Sequence, residues 1–432
     1  MSDSQITFRA IAPIYSPLCL HIGVDQFSKP FVESLQAINV DINVEQDKNP
    51  LKWHGKFLNL SGQENEQRQY QSTDRDSKDI RLMCWVPNSN DKENTHVMFH
   101  VFTNHITIVE VEFTVDISSL RTTTQTTSEL VAAIEEKVQQ LAEEQVAQFY
   151  DSFCQDIQHL KPLLSHNYII SNSDDSISTN WVARTMIIND DHLLDKEFQH
   201  ILTAWLRKTG RPEDAADIIA AKKNHSMTWL NYVVKDVKCV GEDPYIQVMV
   251  LAQYYYISQE HCNSALRSAI EIAYAPRQKQ KVDKVLANTR TACRLNKIAF
   301  YENIKFLSQP NRVLLEDILN GWKFEQLVEN SERMVEICNA RLQEEDNKKR
   351  ERSTVMTDFL LVTLSFFAVF ELSLYLTEFS REMMSRPALD YNDNKSSFFL
   401  SIIAEIDADI MFSFGFGLTL LLIMVYRYIK RN

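Results

Sequence analysis

Three acids in this chain sit where acids are costly to place. Glu371 lies about four turns into the apolar run VMTDFLLVTLSFFAVFELSLYLT (Val355–Thr377). Glu405 and Asp409 border a second run, Met411–Tyr428, which carries no charge before Arg427. An isolated carboxylate in hydrocarbon costs on the order of 3 kcal/mol or more, so an intramembrane acid is a functional candidate by default. Glu371 shares a helical stripe with Thr357, Leu364 and Glu378 at offsets of seven, and Asp358 and Ser365 are further candidates on the same run. Turned toward a symmetry axis, such a stripe sets rings of carboxylates along a cation path. Turned elsewhere, Glu371 snorkels or pairs with a neighbouring helix, and Asp358 sits at the cytosolic interface. Glu405 and Asp409 are four apart and share a face that suits a cation-attracting outer vestibule, whereas Asp407 points away. The alternative there is an amphipathic helix with Phe399, Ile402, Ile403, Ile406 and Ile410 on its apolar side.

Elsewhere, Asp190, Asp191, His192, Asp195 and His200 form a local cluster. Its carboxylates, Asp191 and Asp195 foremost, have the hard oxygen donors that a divalent cation takes. The same residues also read as a helix start with acids in its first turn. His96, His100 and His105 lie on or beside two strands and form a weaker metal pattern. The eight glycines include only one close pair, Gly415 and Gly417, so neither a phosphate-cradling loop nor a dinucleotide fingerprint is present. That pair reads as helix packing. With no Ser/His/Asp or Cys/His constellation in recognisable context, no enzyme is expected.

The remaining composition narrows the class. The 432 residues are 44% hydrophobic and 24% charged, with mean hydropathy −0.27, so membrane character is confined to segments. A net charge of −13 argues against a nucleic-acid partner. Seven scattered cysteines, never in C-x-x-C spacing, read as free thiols of a reducing compartment. MSDSQITFRA lacks the basic and apolar regions of a secretory signal, and none is expected.

The elements that must carry these residues follow from periodicity. HVMFHVFTNHITIVEVEFTVD alternates like two strands with a turn at Thr103-Asn104; Val109, Val111, Phe113 and Val115 face one way, Glu110, Glu112 and Thr114 the other. Ser61–Asp79 is polar and reads as a loop. Thr126 and Glu129 have capping-box spacing and open a helix to about His159, with Leu130, Ile134, Val138, Leu141 and Phe149 on its apolar stripe. WVARTMIIND and MTWLNYVVKDV read as strands around a helical LLDKEFQHILTAWLRKT. Tyr245 to Leu342 is helical in pattern, punctuated by Pro276, Pro310 and Gly321. Val328, Ser331, Val335, Cys338 and Leu342 then mark the 3.5-residue seam of a bundle or coiled coil. No breaker follows, so one helix is expected from Phe324 to Thr377, leaving cytosol and entering the membrane.

The expected fold is an α+β cytosolic domain (1–240), a helical subdomain with a long stalk helix (245–354), and a C-terminal two-helix transmembrane hairpin. Its spans are 355–377 and 398–429, joined by an external loop 378–397 and followed by a cytosolic tail 430–432. The first span, 23 residues, gives about 35 Å of helix, enough for a bilayer core of roughly 30 Å. Arg341, Lys348, Lys349, Arg350 and Arg352 precede it, and Arg427, Lys430 and Arg431 close the second. The connecting loop has three basic residues against four acidic ones, so both termini are expected on the cytoplasmic side of a bacterial inner membrane.

This layout resembles the CorA family of divalent-cation channels. FEQLVENSERMVEICNARLQEEDNKKRERSTVMTDFLLVTLSFF resembles its stalk and first span, and LTLLLIMVYRYIKRN its second span and basic tail. The resemblance implies a homopentamer around a pore lined by the first span, with a divalent cation as the candidate ligand. The family's Gly-Met-Asn signature is absent; EFSREMMSRPALDYNDN stands in its place, with Met383, Met384 and Asn392. Mg²⁺ selectivity is therefore not carried over. Divergent relatives of this kind include membrane effectors of bacterial antiviral systems. Their soluble domain senses a signal molecule or partner and their hairpins permeabilise the membrane. A membrane-anchored scaffold without a pore is the third expectation.

Overall fold

The computed structural model describes residues 5–20, 54–58, 80–88, 96–121, 124, 126–161, 168–170, 179, 181–227, 230–235, 244–275, 282–305, 307–385 and 408–431. It divides into two compact units, Met1–Asn339 and Ala340–Asn432. The N-terminal unit is α+β. Its strands are β1 (Gln5–Leu20), β2 (Gly55–Leu58), β3 (Met83–Pro87), β4 (His96–Val101), β5 (Asn104–Asp116), β6 (Tyr168–Ile170), β7 (Ala183–Ile188), β8 (His225–Met227) and β9 (Asn231–Lys235). Between and after them come α1 (Ile117–Arg121), α2 (Thr127–His159), α3 (Asp190–Leu194), α4 (Lys196–Arg207), α5 (Pro212–Ile219), α6 (Pro244–Tyr274), α7 (Val282–Ile304), α8 (Gln309–Gly321) and the start of α9 (Phe324–Ser385). The strands form one sheet in the order β2-β3-β4-β5-β1-β7-β9-β8, with β6 also on β1. Only β7 and β9 pair in parallel among the described strands.

β1 and β5 make the spine of the sheet, in register from Gln5↔Asp116 to Tyr15↔Ile106. The ladder then shifts where Pro17 has no N–H to give, and Ser16 Oγ takes the Leu18 N–H at 3.3 Å. Period-2 alternation assigns the faces. Phe8, Val109, Val111, Phe113 and Val115 bury against Val131, Ile134, Val138 and Phe153 of α2 and Trp205 of α4. On the opposite face Ile11, Ile106 and Ile108 bury against Val248, Met249 and Tyr255 of α6 and Leu315 of α8. The expected β4–β5 turn is present, with His105 in the left-handed region at φ 62°. The expected capping box of α2 is present in both directions.

Covering both faces traps polar groups. Glu110, on the face opposite Val109 and Val111, is 6% exposed. Its carboxylate accepts from His100 Nε2 at 3.2 Å and pairs with Arg9 Nε at 3.3 Å. Arg81 Nη1 lies 3.1 Å from His100 Nδ1. Cys84 Sγ lies 3.3 Å from the same nitrogen. Burial and the Arg81 charge act to lower the imidazole, but Cys84 and Glu110 outweigh them and push it up to about 9. Burial alone would raise the Glu110 carboxyl; the His100 hydrogen bond and the Arg9 charge more than reverse that and hold it below its ordinary 4.5.

A second buried carboxylate ties the sheet edge to α2. Asp156 is fully buried in the last turn of that helix, where the backbone dipole disfavours an anion. Three donors offset this: His54 N at 3.0 Å, Gly55 N at 2.8 Å and Trp85 Nε1 at 2.9 Å. The approach needs glycine at Gly55, where a Cβ would fall 2.3 Å from Trp85 Cε2.

The long helix runs eight residues past the expected Thr377, to Ser385. EFSREMMS continues helix formers, and the first breaker is Pro387, so the start of the expected loop at 378 falls inside the helix; residues 386–407 lie outside the described residues. Pro310 sits in the first turn of α8, which ends at Gly321, as expected. Ser61–Asp79 and Pro276 lie outside the described residues.

Two outcomes follow for the purified chain. Asp156→Ala removes the shared acceptor of three N–H groups, two of them in buried hydrogen bonds, and should lower stability in urea by about 3–5 kcal/mol, followed by tryptophan fluorescence. Glu110 has a folded-state pKa below its unfolded one. Its stabilisation is complete above about pH 4.5 and fades as pH falls through the lower folded value. Glu110→Gln should therefore be less stable at neutral pH and show a flatter loss of urea midpoint on acidification.

Candidate functional site

The site is built on α9, which spans 62 residues with neither glycine nor proline. In the N-terminal unit its first four turns pack as the third member of a bundle with α6 and α7. The expected seam is buried at Val328, Ser331, Val335 and Cys338. Polar contacts lock its register: Asn263 Nδ2 donates to Leu327 O at 3.0 Å, Arg290 Nη1 to Asn339 Oδ1 at 2.8 Å, and Lys297 pairs with Glu332. Leu342, the last seam position, is only half-buried.

In the C-terminal unit the helix first supports itself with ion pairs. Arg341 reaches Glu344 at 2.7 Å and Glu345 at 3.2 Å, and Lys348 reaches Glu344 at 2.9 Å. Hydrogen bonds from Lys348 and Arg341 hold the Glu344 carboxyl below its ordinary range. An apolar stretch follows. Its 18-residue window has a mean hydropathy of 2.1 and none of it is buried; Phe359 is 69% exposed and Leu364 71%. Among the described residues this is the one helix long and apolar enough to cross a membrane.

Four hydroxyl groups in this stretch, those of Thr357, Thr363, Ser373 and Thr377, bond within the helix, so they need no water. Thr357 Oγ1 donates to Ser353 O at 2.9 Å, Thr363 to Phe359 O at 2.8 Å, and Ser373 to Val369 O at 2.7 Å. Thr357, Leu364, Glu371 and Glu378 all lie on α9 and all are exposed, as is Ser365; Asp358 is half-buried. Seven residues fall about 20° short of two full turns, so the four positions drift only slowly around the helix.

α10 (Ala408–Arg431) has 24 residues. Phe416 meets Phe366 edge-on at 6.0 Å. A methyl group added at Gly415 would lie 3.6 Å from Ser373 Oγ and 3.7 Å from Val369 Cγ1, an ordinary contact. Gly415 thus occupies a packing position, as expected. Gly417 does not: a Cβ there meets nothing within 4 Å among the described residues. Asp409 is the second residue of α10, and Glu405 lies outside the described residues.

The acidic/His cluster forms a cap. Asn189 and His192 exchange capping-box hydrogen bonds at the start of α3, and Asp195 accepts from Glu197 N at 2.9 Å to cap α4. Asp190 pairs with Lys235 at 2.6 Å and Asp191 is exposed. His105 Nδ1 lies 3.0 Å from Ser16 O, while His100 is committed to Glu110. Among the described residues no group of three or more His, Cys, Asp or Glu side chains converges as metal ligands.

A feature with no simple sequence signature is a cavity of about 740 Å³ between α6 and the base of α9, lined by Trp181, Glu260, His261, Arg267, Asn330 and Arg333. Glu260, Ser264 and Arg267 share a face of α6 by spacing, but which face meets α9 is a tertiary fact. Burial pushes the Glu260 carboxyl up and the His261 imidazole down.

No protein-family model, curated protein or solved structure matches the chain.

Phe367→Arg tests the apolar stretch. Arginine at the middle of a membrane helix is about 3 kcal/mol less favourable than an apolar residue, so the variant should shift to the alkali-extractable fraction of cell membranes.

Proposed function

We propose that the protein is a homo-oligomeric, CorA-like cation channel of the bacterial inner membrane, gated by its N-terminal unit. The observation that carries this reading is Glu371, an exposed carboxylate in the interior of an exposed apolar helix. A lone chain in a bilayer would set that charge against lipid. Copies of α9 arranged around an axis would set it against water and permeating cations instead. Glu378 and Thr357 extend the same stripe toward either end. α10, about 36 Å long, is the second span of a hairpin, with both termini cytoplasmic. Glu405 and Asp409 then stand at the outer mouth, and five subunits are expected by resemblance to the family. A divalent cation is the candidate permeant ion by the same resemblance.

The test is flux. Liposomes carrying the purified protein should pass divalent cations, and Glu371→Gln should reduce that flux about tenfold without changing oligomer size. A monomer in detergent, or liposomes that stay tight, would overturn the reading. Unchanged flux in Glu371→Gln together with Glu405→Ala would leave a membrane-anchored scaffold.

The cavity at the base of α9 favours a second reading, a signal-gated effector that depolarises the membrane in antiviral defence. Arg267 has no ion pair or hydrogen bond among the described residues and is available to a small signal molecule or a partner protein. The two readings part in cells. Induction with the trigger should arrest growth for an effector, whereas a housekeeping channel should rescue growth at low divalent cation.

A further inference from the structure

The cavity at the base of α9 has a basic group on each of two walls and a fixed aromatic ring on a third side. One wall is α6, with Glu260, Ser264 and Arg267; the other is α9, with Asn330 and Arg333. A buried side chain fastens the walls together. Asn263, 8% exposed, donates through Nδ2 to Leu327 O at 3.0 Å, and its Oδ1 accepts from Gln259 Nε2 at 3.4 Å. Each helix then carries one arginine one to two turns beyond that bond.

Neither guanidinium is closely paired. Arg267 has no ion pair or hydrogen bond among the described residues. Arg333 reaches Glu329 at 3.9 Å, between two exposed side chains, and such a pair contributes little. The acid in the lining is Glu260, whose carboxyl is pushed up by burial, toward its neutral form. Like charges lining one cavity disfavour each other until an anion enters and offsets both.

The donors indicate which anion. A guanidinium is a planar fork of N–H groups that fits phosphate or carboxylate oxygens. Here the arginines, the Asn330 amide and the Ser264 hydroxyl supply donors from both walls. A carboxylate offers two oxygens in one plane, whereas a phosphate ester offers three around a tetrahedral centre, which suits donors on two sides. The volume of about 740 Å³ exceeds the needs of a bare ion and falls in the range of organic ligands, roughly 300–1,000 Å³. Trp181 supplies an aromatic surface. Its Nε1–H donates to the fully buried Gln253, and its ring meets Tyr256 at 5.4 Å and 87°, so the indole is held in place.

We propose that this cavity binds a phosphate monoester carrying a planar ring, with the phosphate between Arg267 and Arg333 and the ring against Trp181. The inference rests on the second reading above for the claim that the occupant is a signal. A phosphate held by both arginines ties the base of α9 to α6.

The experiment is calorimetric titration of the full chain in detergent with AMP, GMP, CMP and UMP, with their nucleosides, and with inorganic phosphate. At least one monophosphate should bind about tenfold or more tightly than its nucleoside and than inorganic phosphate. Both arginines are exposed, so replacing them spares the core. Arg267→Ala and Arg333→Ala should each weaken that binding about tenfold or more. Arg294→Ala, on α7 and lining a different cavity, should leave it unchanged. Trp181→Leu should weaken the monophosphate and spare inorganic phosphate. No binding by any of the four monophosphates would overturn the proposal, as would a nucleoside or inorganic phosphate binding equally well. Unchanged affinity in the Arg267→Ala/Arg333→Ala double variant or in Trp181→Leu would also overturn it. Titration reads neither flux nor growth, so a negative result strikes the ligand class while growth arrest still decides the effector reading.

Discussion

A peptide chain with neither glycine nor proline for 62 residues has no inexpensive place to stop being a helix, and α9 is built on that constraint. Each backbone N–H finds its carbonyl four residues back, regardless of what the side chains meet. The same ladder can therefore pass from a buried bundle seam, through a self-paired ionic interval, into an apolar stretch most of whose side chains are exposed. Only what lies along it changes: side chains of α6 and α7 first, then its own ion pairs, then an apolar surface long enough to cross a membrane. Hydroxyls at Thr357, Thr363 and Ser373 fold back onto helix carbonyls and need no partner outside it.

The N-terminal unit solves a different problem. Where helices cover both faces of the sheet, a charged residue that enters it has no water beside it and needs a partner inside. Glu110 is held by His100 and Arg9, and Asp156 by three N–H donors. Removing one partner leaves the others buried without one, which is why such groups hold the packing to a single arrangement.

Local patterns were the legible part of this sequence. The turn at Thr103-Asn104, the Thr126–Glu129 cap, the α2 stripe and the α9 seam each depend on residues within one or two turns or one hairpin. The Asn189–Asp195 region was legible as a helix start for the same reason, with the first cap supplied by Asn189 itself, one residue ahead of the acids. Long-range facts were not legible. Asp156 meets His54 across 102 residues, and alternation assigns Glu110 to a face without saying that α6 covers that face. Hydropathy falls at Thr377 while helix propensity does not, so a reading by hydropathy ends α9 too early. On the candidate site, the stripe through Glu371 could be drawn from spacing alone; the cavity above Arg267 needed α6 and α9 side by side.

The interval Arg341–Lys348 has a consequence of its own. Its side chains are held by charge pairs on one helix surface, without an apolar core behind them. Such pairs are screened within about 10 Å at 0.1 M salt. Anionic lipid headgroups would compete for the same Arg and Lys side chains, at about 1 kcal/mol for each basic residue near the surface. The stiffness of this stretch is thus a property of the solution and the leaflet as much as of the protein, and the same chain will be firmer in dilute buffer than in a salty or lipid-rich one.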